Sequence, residues 1–173
     1  MARRPHDDFL AATLPALDLV YNLARRMVGG SVEVEDLVQE TYTRAFQAWS
    51  DGRKPRKVEP WIATICLNAG RSWLRRSSHW REIPTEHDQS MADVTDVEEE
   101  AIDRVRRTQI DRALWKLPEE QRVAISLMDL CGFTASEVAR MTGSPRGTVL
   151  ARVHRGRKKL AVLLERKEIR LEP

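Results

Sequence analysis

The stretch that most constrains how this chain can fold is TASEVARMTGSPRGTVLARVHRGRKK, from Thr134 to Lys159. It reads as a helix-turn-helix whose second helix is loaded with cations. Thr134 with Glu137 three positions on forms a capping box, so a helix is expected to start there. Ala139 is small where two helices must cross closely, and Gly143 falls where the turn needs a residue free to take positive φ. Ser144 can cap the next helix, and Pro145 suits its first position. Val149, Val153 and Leu160 then form an inward stripe, while Arg146, Arg152, His154, Arg155, Arg157, Lys158 and Lys159 crowd the other faces. Such a helix fits the width of a DNA major groove and the charge of its phosphates. A solvated basic helix on an ordinary helical protein is the plainer alternative. The capping box, alanine, glycine turn and basic helix in one register favour DNA.

The rest of the chain is helical in the same way. At 173 residues it holds one ordinary domain or two small ones, and 42% hydrophobic with 32% charged residues describes a soluble, helix-rich protein. No apolar run approaches the roughly 20 residues of a membrane span. The N-terminus lacks an apolar core of signal-peptide length, so a cytoplasmic protein is expected. A first helix is expected from about Asp8 to Val28, burying Phe9, Leu10, Leu14, Leu17, Val20, Leu23, Ala24 and Met27. A second runs from about Val32 to Trp49, burying Leu37, Val38, Tyr42, Ala45, Phe46 and Trp49. A basic loop follows from Ser50 to Glu59, then a third helix from about Pro60 to Arg76, burying Trp61, Ile62, Ile65, Ala69 and Leu74. From Ser77 to about Glu99 apolar residues are sparse, and proline and acids appear, which marks a linker. Helical pattern resumes near Val97 and runs to Leu117; Pro118 opens a helix over Glu119–Leu130 that stops at Gly132. The fold class is all-α: two small helical domains, 5–78 and 100–168, joined by a flexible acidic linker at 79–99.

Net charge is only +3, from 29 Lys+Arg against 26 Asp+Glu, yet the charges are segregated. Basic residues gather at 53–57, 71–81 and 140–167; acids gather at 33–40 and 82–100. Separate surfaces for separate partners follow: nucleic acid for the basic ones, a basic protein surface for an acidic one. The second helix sets Asp36, Gln39, Glu40 and Thr43 at i, i+3, i+4 and i+7, one acidic and amide stripe. Taken alone, such a stripe is more often a solvated face. The third helix sets Thr64, Asn68, Arg71 and Arg75 on one face, a ribbon able to hold phosphates and touch exposed bases. Arg75 and Arg76 at a helix C-terminus equally suit its dipole.

In order, VEVEDLVQETYTRAFQAW, a basic loop, PWIATICLNAGRSWLRR, a linker, LWKLPEEQRVAISLMDLCGFTASEVARMTGSPRGTV and ARVHRGRKKL resemble the extracytoplasmic-function (ECF, group IV) sigma factors of bacterial RNA polymerase. The most specific pieces are EDLVQET, the L-P-x-x-x-R before the last helices, and GTVLARVHRGR. The resemblance implies that Asp36, Leu37, Gln39, Glu40 and Thr43 dock on the clamp helices of the polymerase β′ subunit. It implies that Arg53, Lys54, Arg56 and Lys57 of the loop, with Trp61, Asn68, Arg71 and Arg75, melt the −10 element and hold a flipped base. It assigns −35 duplex reading to Arg146, Thr148, Leu150, Ala151, Arg152, His154 and Arg155, with Lys158 and Lys159 on phosphates. The implied partners are core RNA polymerase (β′ clamp helices and β flap), promoter DNA and an anti-sigma factor. The family usually carries a basic residue and a serine at Leu150 and Ala151, a leucine at Thr142, a valine or isoleucine at Ser144 and an aspartate at Ser72. A different preferred promoter is expected from these departures.

Two other classes compete. A dimeric helix-turn-helix regulator would bind a palindrome unaided, but no sustained heptad or large apolar stripe suggests a dimer seam. An enzyme would need a nucleophile or metal cluster. His6, His79, His87 and His154 are scattered, and Cys66 and Cys131 lie far apart without a CxxC partner. No enzyme activity, metal or cofactor is expected, and both cysteines read as small core residues.

Overall fold

The computed structural model describes residues 5–29, 31–77 and 109–168, and every regular element among them is helical. The expected linker at 79–99 and the start of the helical block at Val97 lie outside the described residues. The chain divides into two compact units, Met1–Ser90 and Met91–Pro173.

In the first unit α1 (Pro5–Thr13) leads through a 3-10 turn (Leu14–Ala16) into α2 (Leu17–Val28). The single helix expected from Asp8 to Val28 is therefore broken. Pro15 is the reason: its nitrogen has no proton for the helical ladder, and its ring crowds the preceding turn. The break also turns two expected core residues outward, Leu14 at 50% and Leu17 at 40% exposure. Tyr42 fastens the break by donating its hydroxyl to the Thr13 carbonyl at 3.0 Å, and burial raises the pKa of that phenol. Beyond the turn the expected period holds, with Val20, Leu23, Ala24, Met27 and Val28 buried on one face of α2.

Two longer helices, α3 (Ser31–Ser50) and α4 (Val58–Ser77), pack on α2 and on each other. Val34, Leu37, Ala45 and Trp49 of α3 meet Ile62, Ala63, Cys66, Leu67 and Ala69 of α4 in one core. At Gly70 a Cβ would come within 2.7 Å of the Met27 sulfur, so the absence of a side chain lets α4 lie close to α2. α4 starts two residues before the expected Pro60, which a proline in the first turn permits.

Among the described residues of the second unit, 109–115 are helical, here α5, and α6 (Glu119–Ile125) follows. The last turn expected of α6 is a π-helical segment, Ser126–Leu130, before Gly132 takes φ 74° and the chain turns. Then come α7 (Ala135–Thr142) and α8 (Arg146–Glu168). The capping box at Thr134 is complete: its hydroxyl accepts from the Glu137 amide, and the Glu137 carboxylate accepts from the Thr134 amide at 3.0 Å. Gly143 takes φ 64°, the left-handed turn expected of it, and its amide closes on the Ala139 carbonyl. α8 begins just after Pro145, and the Ser144 hydroxyl accepts from Arg152 at 2.8 Å. Leu114, Leu117 and Ile125 form the center of this unit's core, with Leu160 and Leu163 of α8 packed against them.

Candidate nucleic-acid interface

α8 has two sides with different duties. Val149 and Val153 are buried, and Gly156 faces α6 so closely that a Cβ would lie 2.6 Å from Ile125 Cδ1. The other faces carry Arg146, Leu150, His154, Arg155, Lys158 and Lys159, all exposed, with Thr148 and Ala151 half-buried beside them. These are the residues that the sequence assigns to duplex DNA. A helix about 10–12 Å across with its side chains fits a major groove about 12 Å wide.

Arg152, also expected on the −35 face, has partners within the unit. It has only 17% of its side chain exposed; it pairs with Glu120 at 2.7 Å and donates to Ser144 at 2.8 Å. Its guanidinium joins α6, the turn and α8. Arg157 is held similarly: Asp129 in the π-helical segment takes it with two hydrogen bonds, at 2.9 and 2.5 Å, and this raises the Arg157 pKa. Neither Glu120 nor Asp129 carries a short-range signal in the sequence. Asp129 stands 28 positions from its partner, and only the fold brings the charges together.

The L-P-x-x-x-R motif is structural. Leu117 is buried, Pro118 precedes the first turn of α6, and Arg122 is buried with its guanidinium carbon 4.1 Å from the center of the Trp115 ring. Burial lowers the Arg122 pKa, and the Glu119 charge raises it in part. The ring face replaces some of the solvation lost by the buried cation.

On α3, Asp36, Gln39 and Thr43 are exposed as expected, and Glu40 is half-buried. Glu40 pairs with Arg44 one turn on and lies 3.6 Å from Arg76 of α4, so it also links two helices. Leu37, which the resemblance sets among the clamp contacts, is buried as the period of the helix expects. It is 0% exposed and lies against α4 near Gly70, so its side chain serves the bundle core.

The basic loop and α4 bring the next group together. Arg53 hydrogen-bonds Asp51 at 2.7 Å, Lys54 sits 5.1 Å over the Trp49 ring, and Arg56 and Lys57 are exposed. Trp61 stacks obliquely on Trp49, with ring centers 6.4 Å apart. This couples the start of α4 to an aromatic cluster of Phe9, Phe46 and Trp49. Further along α4, Asn68 and Arg75 are exposed, Arg71 is half-buried, and Arg75 donates to Ser72 at 3.2 Å. Trp61, Asn68, Arg71 and Arg75 thus share one face of α4 by helical spacing, and the cations of the loop lie before its N-terminal end. Among the described residues no group of three His, Cys, Asp or Glu is placed to hold a metal ion.

Residues 15–80 match the family model Sigma-70 region 2, and residues 107–160 match Sigma-70, region 4. The chain is 34% identical over 145 residues to the ECF RNA polymerase sigma factor SigM of Mycobacterium tuberculosis, covering 84% of this chain and 71% of the relative. It is 34% identical to SigE of Mycolicibacterium smegmatis, covering 83% of this chain and little more than half, 56%, of that relative. Among solved structures it resembles the sigma factor RpoE of Bartonella quintana in complex with the anti-sigma factor NepR. The TM-score there is 0.74 at 25% identity, over 91% of this chain and 97% of that one.

The expected cytoplasmic location does not stand as read. It rested on the lack of an apolar core of signal-peptide length at the N-terminus. The RpoE structure it resembles is of a sigma factor held by an anti-sigma factor, so the compartment is not read from this chain's hydropathy alone. CnrH, solved in complex with the cytosolic domain of CnrY, shares the fold (TM-score 0.68, 23% identity, 92% of this chain and 89% of that one). The narrower statement holds: among the described residues no helix is long and apolar enough to cross a membrane. The matched regions, their order and the relatives together place the chain: it belongs to the ECF (group IV) sigma factors of the sigma-70 family, which bind core RNA polymerase and promoter DNA.

Proposed function

We propose that this sigma factor divides its work among three surfaces, in a core-binding and −10 domain at 5–78, a linker at 79–99 and a −35 domain at 100–168. Asp36, Gln39, Glu40 and Thr43 of α3 dock on the β′ clamp helices, and the second unit meets the β flap. Arg53, Lys54, Arg56, Lys57, Trp61, Asn68, Arg71 and Arg75 melt the −10 element and hold an extruded base; unstacking it costs a few kcal/mol that these contacts must offset. Arg146, Thr148, Leu150, Ala151, His154 and Arg155 face the −35 duplex, and Lys158 and Lys159 take phosphates farther along. An anti-sigma factor is the regulating partner, a reading supported by the RpoE relative being found with one.

The observation that carries this assignment is the two-sidedness of α8, where the buried valines and Gly156 fix the helix and leave its cations outward. The test is reconstitution: the full chain is mixed with core polymerase, and the complex is assayed on a promoter library by run-off transcription. Co-elution with core and promoter-dependent transcripts are expected. Failure to bind core, together with unaided dimeric binding to a palindrome, would establish the regulator instead.

A further inference from the structure

We propose that Leu150 is a base-reading residue that selects a thymine in the −35 element by its 5-methyl group. The inference rests on the −35 reading of α8 and specifies what that face recognises.

Leu150 is 40% exposed, while its neighbor Val149 is 1% exposed and holds the helix to the unit. The core therefore does not need a leucine at 150. It stands one turn after Arg146 and one turn before His154, both exposed, so it lies in a polar row along the outward face. A leucine contributes nothing to phosphate binding. Nor does it belong to a docking patch: such patches are contiguous over a few hundred Å², and the exposed residues around it on this face are Arg146, His154 and Arg155.

On one flank of Leu150 the surface is low: a Cβ at Gly147 would meet no atom within 4 Å, and Ala151 is short. Among the exposed residues of its row, Arg146, Leu150 and His154, Leu150 is the apolar one. Arg152 does not compete for the same base, since Glu120 and Ser144 hold it. In the major groove thymine presents a methyl group, and an aliphatic side chain distinguishes it from the other bases by burying that methyl.

Deoxyuridine differs from thymidine by that methyl alone, which makes the test specific. Holoenzyme reconstituted from the full chain would first select its −35 sequence from randomised duplexes. Each selected dT would then be replaced singly by dU. At one or two positions dU is expected to weaken binding about fourfold, the effect of one buried methyl-sized group. The L150A chain, whose core is untouched, is expected to bind dT and dU alike there. Indifference to dU at every position, a selected −35 element without thymine, or equal dU losses in native and L150A chains would overturn the role of Leu150. Should no −35 preference be selected at all, the −35 reading of α8 falls first and this inference with it.

Discussion

Arg152 and Arg155 are three positions apart on one helix, and their surroundings give them different tasks. Arg152→Ala removes two hydrogen-bonded contacts that join α6, the turn and α8. It is expected to lower the stability of the second unit by about 1 kcal/mol, the low end for charged pairs because Glu120 is largely exposed. Thermal melts should register this while the preferred −35 sequence stays the same. Arg155→Ala should leave the melt unchanged, cost about 1–3 kcal/mol of specific binding and relax preference at one or two base pairs. Binding across −35 variants separates the two cases, and an equal loss on every variant would make Arg155 a phosphate anchor. The sequence alone could not distinguish them, because both are arginines in one basic run and Glu120 is distant along the chain. The same limit hid the role of Arg122. Its motif identified the family, but its place over Trp115 becomes visible only once the helices are packed. Arg122→Ala should destabilise the unit by roughly 2 kcal/mol, through the lost ring contact and packing, and this would appear in the melt before any DNA assay.

Elements were legible where one local rule governed them. The capping box at Thr134 and the left-handed Gly143 lie where expected, since each needs only neighbors within a few residues. Two breaks were harder to read. Apolar residues run through Pro15 without interruption, so periodicity alone carried the first helix across a residue that its backbone cannot accommodate. The π-helical segment at Ser126–Leu130 has no residue signature of its own. It places Asp129 within reach of Arg157, a tertiary gain that no local pattern anticipates. α8 offers a direct check on helix packing through its two glycines. An exposed helical glycine changed to alanine gains up to about 1 kcal/mol from propensity, and Gly147→Ala, with open space around it, should show a gain of that sign. Gly156→Ala must push against Ile125 and Gln121, and overpacking of about 1–3 kcal/mol should exceed the same gain. Urea unfolding of both variants would show opposite shifts in midpoint.

At the scale of the whole molecule, the two units answer to different assays. Alanine at both Asp36 and Gln39 is expected to weaken core polymerase binding while changing stability by less than about 0.5 kcal/mol, since both side chains are exposed. Undiminished binding in a pull-down with core would refute the clamp assignment. Alanine at Asn68 and Arg71 should reduce transcription from a duplex promoter more than from one with a pre-melted −10 segment, where part of the unstacking cost is already met. Equal defects on both templates would leave those residues with backbone contacts or a place in the fold. The order of the two units was readable from charge blocks and helical period, whereas the division of labor between neighboring side chains was not. Leu37 shows both sides of this: the period of its helix buries it, as the structure does at 0% exposure, while only the family resemblance set it among the clamp contacts. The two-sidedness of α8 also has an evolutionary consequence. Apart from Arg152 and the half-buried Thr148 and Ala151, the residues assigned to reading are exposed, so a lineage can exchange them with little cost to the scaffold. Promoter preference is then free to drift quickly among descendants of one ancestral gene, and duplicated copies can acquire separate regulons through a handful of neutral-to-the-fold changes.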